Sequence, residues 1–127
     1  MTPTSLILDS HIIVWALNGQ QLTKRTKVAL GLADRLYCSA ASVWELMIKS
    51  KDGGIELPKG WVDSVADTGI DLLDVTCAHA LAIKAVELPH ADPFDRLLVA
   101  QAMSEGFGLL TADQTLLKTP YPFIVKA

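Results

Sequence analysis

The chain has 127 residues, half of them hydrophobic, and its formal net charge at pH 7 is −3. This length is typical of one domain with its own core, and no apolar run approaches the roughly 18 residues that a membrane span requires. The slight negative charge argues against binding nucleic acid through bulk electrostatics, but it is compatible with a carboxylate site that bound cations neutralise.

Apolar strands and helices alternate along the first half of the chain. Ser5–Asp9 is a short, continuously apolar run that ends in an acid, which predicts a buried strand. The amphipathic segment Ser10–Asn18 follows as a helix that ends at Gly19. A second strand is predicted over Arg35–Ser39. Three further helices are predicted in this half: Thr23 caps one that extends to about Ala33, the second covers Ala41–Lys51, and the third extends from near Gly60 to Gly69.

The same alternation continues towards the C-terminus. A third strand is predicted over Ile70–Val75, and Thr76 caps a helix that reaches Leu88. Proline is favoured at the first helical position, so the next helix is predicted to begin at Pro93. That helix ends at Glu105-Gly106, and it is followed by a strand over Phe107–Leu110 and a short fifth strand over Phe123–Val125.

Strands that alternate with helices imply βαβ crossovers, because parallel neighbours need a long connection. We therefore predict a single α/β domain over residues 1–127, with three layers and a central, mostly parallel sheet of four to five short strands flanked by helices. In such sheets, ligands bind beyond the carboxyl ends of the strands, near the point where the strand order reverses.

Four acids fall where such a site would form. Asp9 ends the first predicted strand, and Asp113 follows the fourth. Asp95 lies in the first turn of the helix that precedes the fourth strand. Glu45 lies within the helix that follows the second strand, among apolar neighbours, where a charge is costly unless it is paired or metal-bound. Because each acid comes from a separate unit near the same edge of the sheet, we expect one cluster.

A carboxylate cluster suits the hydrolysis of phosphodiesters. Mg²⁺ and Mn²⁺ prefer carboxylate oxygens and retain several waters. One or two such ions can activate a water for in-line attack and neutralise the leaving oxygen. This chemistry needs no Ser, Cys or His nucleophile, and the sequence offers no convincing triad.

Helix capping is an alternative interpretation for most of these acids. Asp9 could cap the helix that begins at Ser10, and Asp113 could cap the short turn at residues 114–118. Asp92 is well explained as the N-cap ahead of Pro93, and Asp95 then occupies the N3 position, where its charge favours the helix dipole. Pattern alone leaves the structural and the functional interpretations of these acids open.

Glu45 and the basic residues also have structural alternatives. Glu45 could form an i,i+4 ion pair with Lys49 on a solvated face. Lys49 and Arg96 lie near the predicted site and could contact a substrate phosphate, but ordinary solvated surface charges explain them equally well.

Several segments together resemble the PIN-domain family, and specifically the VapC-type toxins of bacterial toxin–antitoxin pairs. The resemblance spans nearly the whole chain, in the right order. The matching segments are LILDSHIIVWAL at residues 6–17, SAASVWELMIK at residues 39–49, LPHADPFDRLLVAQA at residues 88–102 and LLTAD at residues 109–113.

The resemblance implies an endoribonuclease whose family acids coordinate Mg²⁺ or Mn²⁺ and cleave RNA. It also implies a small antitoxin that covers the site or its entrance, and a homodimer. The family's acidic positions fall on Asp9, Glu45, Asp95 and Asp113, and the supporting positions fall on Ser10, Asp92 and Thr111.

The remaining sequence features favour a cytoplasmic protein. Cys38 and Cys77 lie in apolar stretches without disulfide or metal-type spacing, so we expect reduced core residues. The first residues, Met1–Ser5, lack the basic and apolar regions of a signal peptide.

Two other classes of function remain as alternatives. A phosphoacceptor receiver domain could place its acceptor at Asp74, but it would need an acidic pair at the first strand, and Asp9 has no acidic neighbour. A catalytically silent PIN-like interaction module would keep the acids for capping alone.

Overall fold

The structure is a computed structural model that describes residues 5–19, 22–89 and 92–127. Met1–Thr4, part of the N-terminal segment considered for a signal peptide, lie outside the described residues. Within the described ranges, five strands form one parallel sheet in the order β3-β2-β1-β4-β5. The strands are β1 (Ser5–Leu8), β2 (Arg35–Ser39), β3 (Ile70–Leu73), β4 (Gly108–Thr111) and β5 (Ile124–Lys126).

Helices cover both faces of the sheet, which confirms the predicted three-layer α/β fold. They are α1 (Ser10–Asn18), α2 (Lys24–Leu32), α3 (Ala40–Lys51), α4 (Trp61–Asp67), α5 (Cys77–Ala82), α6 (Pro93–Glu105) and α7 (Gln114–Leu117), and a 3₁₀ turn (Ile83–Ala85) follows α5. Over the part of the chain that the structure describes, no helix is long and apolar enough to cross a membrane.

The central strand β1 explains why the apolar run of the sequence is continuous. Successive side chains of a strand point to opposite faces. Leu6 and Leu8 therefore pack in the core beneath α1 and α4, whereas Ile7 packs in the core beneath α6. Strands that are buried on both faces read as uninterrupted apolar sequence.

Local signals set the ends of the helices that carry the predicted site. Gly19 adopts the left-handed conformation at φ 65° and ends α1. Gly106 does the same for α6 at φ 72°, and Pro93 occupies the first turn of that helix. The sequence predicted both ends.

Two elements are shorter than predicted. β3 ends at Leu73 rather than Val75, because Leu73 pairs with Ser39, the last residue of β2. The helix after Thr76 ends at Ala82 rather than Leu88. The chain there tightens into the 3₁₀ turn, and Val86 then becomes extended and buries its side chain in the core beneath α6.

The two cysteines are both free, but they lie in different environments. Cys38 is buried in the core, and burial raises the pKa of its thiol to about 11. Cys77 begins α5 and is exposed, so its predicted core position is wrong. Thr76 caps this short helix by accepting a hydrogen bond from the amide of His79, and the side chain of His79, not that of Cys77, is the one buried in its first turn.

The strand order reverses between β1 and β4, the neighbours at the centre of the sheet. From β1, the order proceeds to β2 and β3 on one side and to β4 and β5 on the other. Leu8 pairs with Leu110, so β1 and β4 end side by side, and the residues that follow them lie at the position where open α/β sheets bind ligands.

Candidate active site

Asp9 lies immediately after β1, and its side chain does not cap α1. Its backbone has the extended geometry of an N-cap, but among the described residues its carboxylate accepts no capping hydrogen bond. Instead, Oδ2 accepts a hydrogen bond of 2.6 Å from the hydroxyl of Thr111. Asp9 is 4% exposed, and burial raises its pKa, against the opposing effect of the Thr111 hydrogen bond. The capping interpretation of Asp9 is therefore wrong.

Thr111, the last residue of β4, links two of the predicted acids. Its hydroxyl donates to Asp9 and accepts a hydrogen bond of 3.0 Å from the backbone N–H of Asp113. Asp113 in turn caps α7, because its Oδ1 accepts from the amides of Thr115 and Leu116. The capping prediction for Asp113 is confirmed, and both capping hydrogen bonds use the same carboxylate oxygen.

Glu45 is buried on the inner side of α3 and is held from two directions. The hydroxyl of Ser10 donates to Oε1 at 2.5 Å, and the ammonium of Lys49 contacts Oε2 at 3.0 Å. The predicted i,i+4 ion pair is thus present, but it does not lie on a solvated face, because only 9% of the Glu45 side chain is exposed. Ser10 follows Asp9 in the chain, so this contact brings α3 to the end of β1.

Asp95 lies in the first turn of α6, where burial and the negative charges of the other acids raise its pKa. Its pKa is raised to about 7, first by burial and then by the negative charges of its acidic neighbours, which are Asp92, Asp9, Asp113 and Glu45. The structure therefore brings the acids of β1, α3, α6 and the β4–α7 connection within electrostatic reach of one another. Asp92 is the N-cap of α6, as predicted, since its Oδ1 accepts from the amides of Phe94 and Asp95.

The Arg96 side chain contacts the segment that follows the 3₁₀ turn. Its guanidinium donates to the carbonyl of Val86 at 3.2 Å. A contact with substrate phosphate stays a prediction for Arg96, as it does for Lys49.

A buried link between α3 and α6 was not predicted. The hydroxyl of Ser39 caps α3 by accepting from the amide of Ala41, and it donates to Oε1 of Gln101 on α6 at 2.6 Å. Gln101 is fully buried. Because α3 carries Glu45 and α6 carries Asp95, this hydrogen bond fixes the relative position of two site helices. No distinct signal in the sequence pointed to it, because glutamine is common on the solvated face of a helix.

Ser42 is a second residue that the sequence interpretation missed. Its side chain is 1% exposed, and its hydroxyl has no hydrogen-bond partner among the described residues. It lies three residues before Glu45, which places both on one face of α3. A buried, unsatisfied hydroxyl calls for an explanation such as a bound water or ion.

Aromatic side chains border the acids. Trp44 is 62% exposed, and its ring meets that of Phe94 edge to face at 5.1 Å. These two residues immediately precede Glu45 and Asp95. On the other side, a cleft of about 230 Å³ is lined by His11, Trp15, Ala112 and Asp113.

The residues present fit a hydrated divalent cation rather than a closed protein cage. In the described ranges, no three His, Cys, Asp or Glu side chains are arranged to hold a metal ion together. Mg²⁺ commonly binds through one or two carboxylates and keeps several waters. The mutual repulsion of the acids around Asp95 and the unsatisfied hydroxyl of Ser42 are both features that a hydrated cation would relieve.

Comparison by sequence identifies similar proteins over nearly the whole chain. A family model described as the PIN domain matches residues 6–120. Ribonuclease VapC22 of Mycobacterium tuberculosis is 31% identical over 126 residues, which cover 94% of this chain and 95% of that protein.

Comparison by structure finds the same fold in toxin–antitoxin complexes. VapBC2 from Rickettsia felis, bound to a DNA fragment from its promoter, matches with a TM-score of 0.66 at 16% identity, over 97% of both chains. DNA-bound VapBC from Salmonella typhimurium matches with a TM-score of 0.66 at 16% identity, over 100% of this chain and 98% of the other. A toxin–antitoxin complex from Klebsiella pneumoniae matches with a TM-score of 0.63 at 17% identity, over 94% of this chain and 95% of the other.

Proposed function

The chain belongs to the PIN-domain family, and we propose that it is a metal-dependent endoribonuclease, the toxin of a toxin–antitoxin pair. The whole length, residues 1–127, would act as one nuclease domain. The observation that supports this most is the charge environment of Asp95, whose pKa is raised to about 7 by burial and by its acidic neighbours. Acids held together against their own repulsion are typical of sites that bind cations.

In this proposal each acid has a distinct task. Asp9, oriented by the Thr111 hydroxyl, Asp95 and Asp113 would hold an Mg²⁺ or Mn²⁺ ion. Glu45 would keep α3 beside them through its hydrogen bond with Ser10. When bound, such an ion supplies Lewis acidity and an activated water at neutral pH. With a pKa of about 7, the metal-free Asp95 carboxyl is partly protonated at neutral pH, and it would have to release that proton to hold a cation.

RNA is the proposed substrate, by analogy with the ribonuclease that is 31% identical to this chain. Its phosphate would approach the edge where β1 and β4 end, and Lys49 and Arg96 are the nearest predicted phosphate contacts. This substrate places the proposed activity in the cytoplasm.

A small antitoxin and a second copy of the chain are the proposed protein partners. The solved complexes that share this fold include toxin–antitoxin pairs. The outer face of α3 exposes Trp44, Met47 and Ile48 beside the acids, at 62%, 52% and 41%. Contiguous apolar groups of this kind on a surface favour coverage by a protein partner.

The test is cleavage of a structured RNA pool by antitoxin-free protein in the presence of Mn²⁺, Mg²⁺ or EDTA. We expect cleavage with the metals and none in EDTA. Asp95→Asn should abolish it. Asp63→Asn is the matched control, because Asp63 also lies in the first turn of a helix, is exposed, and is on α4, outside the acid cluster.

The competing functions predict different results. Because the chain belongs to the PIN-domain family, the receiver-domain alternative is excluded. A silent interaction module would give no cleavage with either metal, from protein that is folded and free of antitoxin, and this result would overturn the proposed function. Cleavage that survives in Asp95→Asn would instead move the reaction to another part of the surface.

A further inference from the structure

Glu45 differs from the other predicted metal ligands in how its oxygens are used. Oε1 accepts from the Ser10 hydroxyl at 2.5 Å, and Oε2 contacts the Lys49 ammonium at 3.0 Å. Both carboxylate oxygens are thus already engaged by donors of the chain itself. On Asp9, by contrast, the Thr111 hydroxyl donates to one oxygen, Oδ2, and on Asp113 both capping amides donate to one oxygen, Oδ1.

Burial explains why Glu45 needs this arrangement. The side chain is 9% exposed, and a buried carboxylate is stable only when its charge is paired and its lone pairs are satisfied. Lys49 supplies the charge from the next turn of α3, with its own side chain 39% exposed and able to reach the site edge. A divalent cation placed directly on Glu45 would have to displace this ammonium or lie against a like charge.

Binding of the divalent ion is therefore more favourable at the acids other than Glu45. Among the described residues no three acids are arranged to hold a metal ion together, so Glu45 does not complete a cage with Asp9 and Asp95. Besides burial, four acids raise the pKa of Asp95, and one of them, Glu45, already has the Lys49 ammonium at contact distance.

We propose that Lys49 is a built-in second cation of the site. It neutralises Glu45, which together with Ser10 acts as a positioning residue, and it limits the site to one divalent ion, bound through Asp9 and Asp95. This inference rests on the proposed metal-dependent function and specifies how the charges of that site are divided.

The test is calorimetric titration of Mn²⁺ into antitoxin-free protein, with the single variants Glu45→Gln and Lys49→Met and the double variant that combines them. Wild type should bind one Mn²⁺. Glu45→Gln should weaken binding about tenfold, a typical effect of losing an outer-shell partner, because Lys49 is then uncompensated. The double variant removes both charges, so its affinity should return to within about threefold of wild type. Lys49→Met should gain a second, weaker Mn²⁺ site on Glu45.

Controls keep folding separate from binding. Lys49→Met leaves a buried charge, so circular dichroism is measured for every variant, and Lys49→Arg, which retains the cation, should bind one Mn²⁺ as wild type does. If Lys49→Met fails to fold, the double variant, which removes both charges, tests the inference in its place.

Two kinds of failure are distinguishable. If the double variant binds Mn²⁺ as weakly as Glu45→Gln, or if wild type binds two ions of similar affinity, Glu45 is a direct ligand and the inference is overturned while the nuclease proposal stands. If wild type binds no Mn²⁺ and Asp95→Asn changes nothing, the metal-dependent function itself is overturned, and this inference with it.

Discussion

Replacing Asp95 by Asn should stabilise the metal-free protein at pH 8. A pKa that burial and acidic neighbours raise from 3.8 to about 7 corresponds to a penalty of about 4 kcal/mol on the charged form. The carboxyl group is incompletely buried, so screening reduces the measurable part to about 1–2 kcal/mol. The variant also loses about 0.5 kcal/mol of attraction between a first-turn carboxylate and the dipole of α6. A net gain in the free energy of unfolding remains.

The sign of the pH dependence follows from the same pKa. Well below the ordinary pKa of 3.8, the carboxyl is protonated in both the folded and the unfolded chain, so it costs the wild type nothing. As the pH rises towards 7, the unfolded chain releases the proton first, and wild-type stability falls. The advantage of Asp95→Asn should therefore be small at pH 4.5, grow through this window and level off above pH 7.

Urea unfolding in EDTA at pH 4.5 and pH 8 measures this difference. Thermal unfolding at pH 8 should show the same net gain of about 0.5–1.5 kcal/mol as a melting temperature about 2–7 °C higher in the variant. Asp63→Asn, in the exposed first turn of α4, should show only the small dipole loss at both pH values. A variant that is less stable than wild type at pH 8 would mean that Asp95 holds the fold together and is not strained by its neighbours.

Three other substitutions test the surroundings of the acids. Thr111→Val removes the hydroxyl whose hydrogen bond lowers the pKa of Asp9, so that pKa should rise further. The ascending limb of the pH profile of kcat/KM, measured from pH 5.5 to 8.5, should then move to higher pH; an unmoved limb would show that the hydrogen bond does not control Asp9. Ser42→Ala removes a hydroxyl with no partner among the described residues; urea unfolding should change by less than about 0.5 kcal/mol while Mn²⁺-dependent cleavage falls, and an equal loss of both would assign Ser42 to folding alone. Gln101→Leu leaves the buried Ser39 hydroxyl without its acceptor, so stability should fall by about 2 kcal/mol and kcat about tenfold; unchanged kcat would show that the link does not position the site helices.

Sequence pattern was sufficient for the kind of fold, but it did not determine the order of the strands. Buried parallel strands have a distinctive composition, which is why Ser5–Leu8 and Gly108–Thr111 could be located to within a residue. The order β3-β2-β1-β4-β5 depends on which face each crossover helix packs against. That choice is made by packing between residues far apart in the chain: Leu46 of α3 lies in the same core as Leu8, whereas Ala41 of the same helix lies in the other core with Leu98.

The candidate site was predictable where a residue type is unusual for its position. Glu45 stands out in sequence because a charge among apolar residues requires a partner. Ser42 and Gln101 do not stand out, since serine and glutamine are common on the solvated face of any helix. Their burial becomes visible only once α3 packs against α6, and the demand for hydrogen bonds that makes them informative arises from that packing.

The capping and the catalytic interpretations of the acids turn out to be compatible, because a carboxylate has two oxygens. Asp113 gives Oδ1 to the amides that begin α7, and that bond fixes the direction of Oδ2. Asp92 caps α6 in the same way and contributes negative charge to Asp95. A cap that also fixes a ligand has low rotational freedom before any cation binds, so less entropy is lost on binding. At Asp92 and Asp113 the sequence signal for a helix start is therefore also the signal for an oriented carboxylate, whereas at Asp9 the hydroxyl of Thr111 orients the carboxylate without a cap.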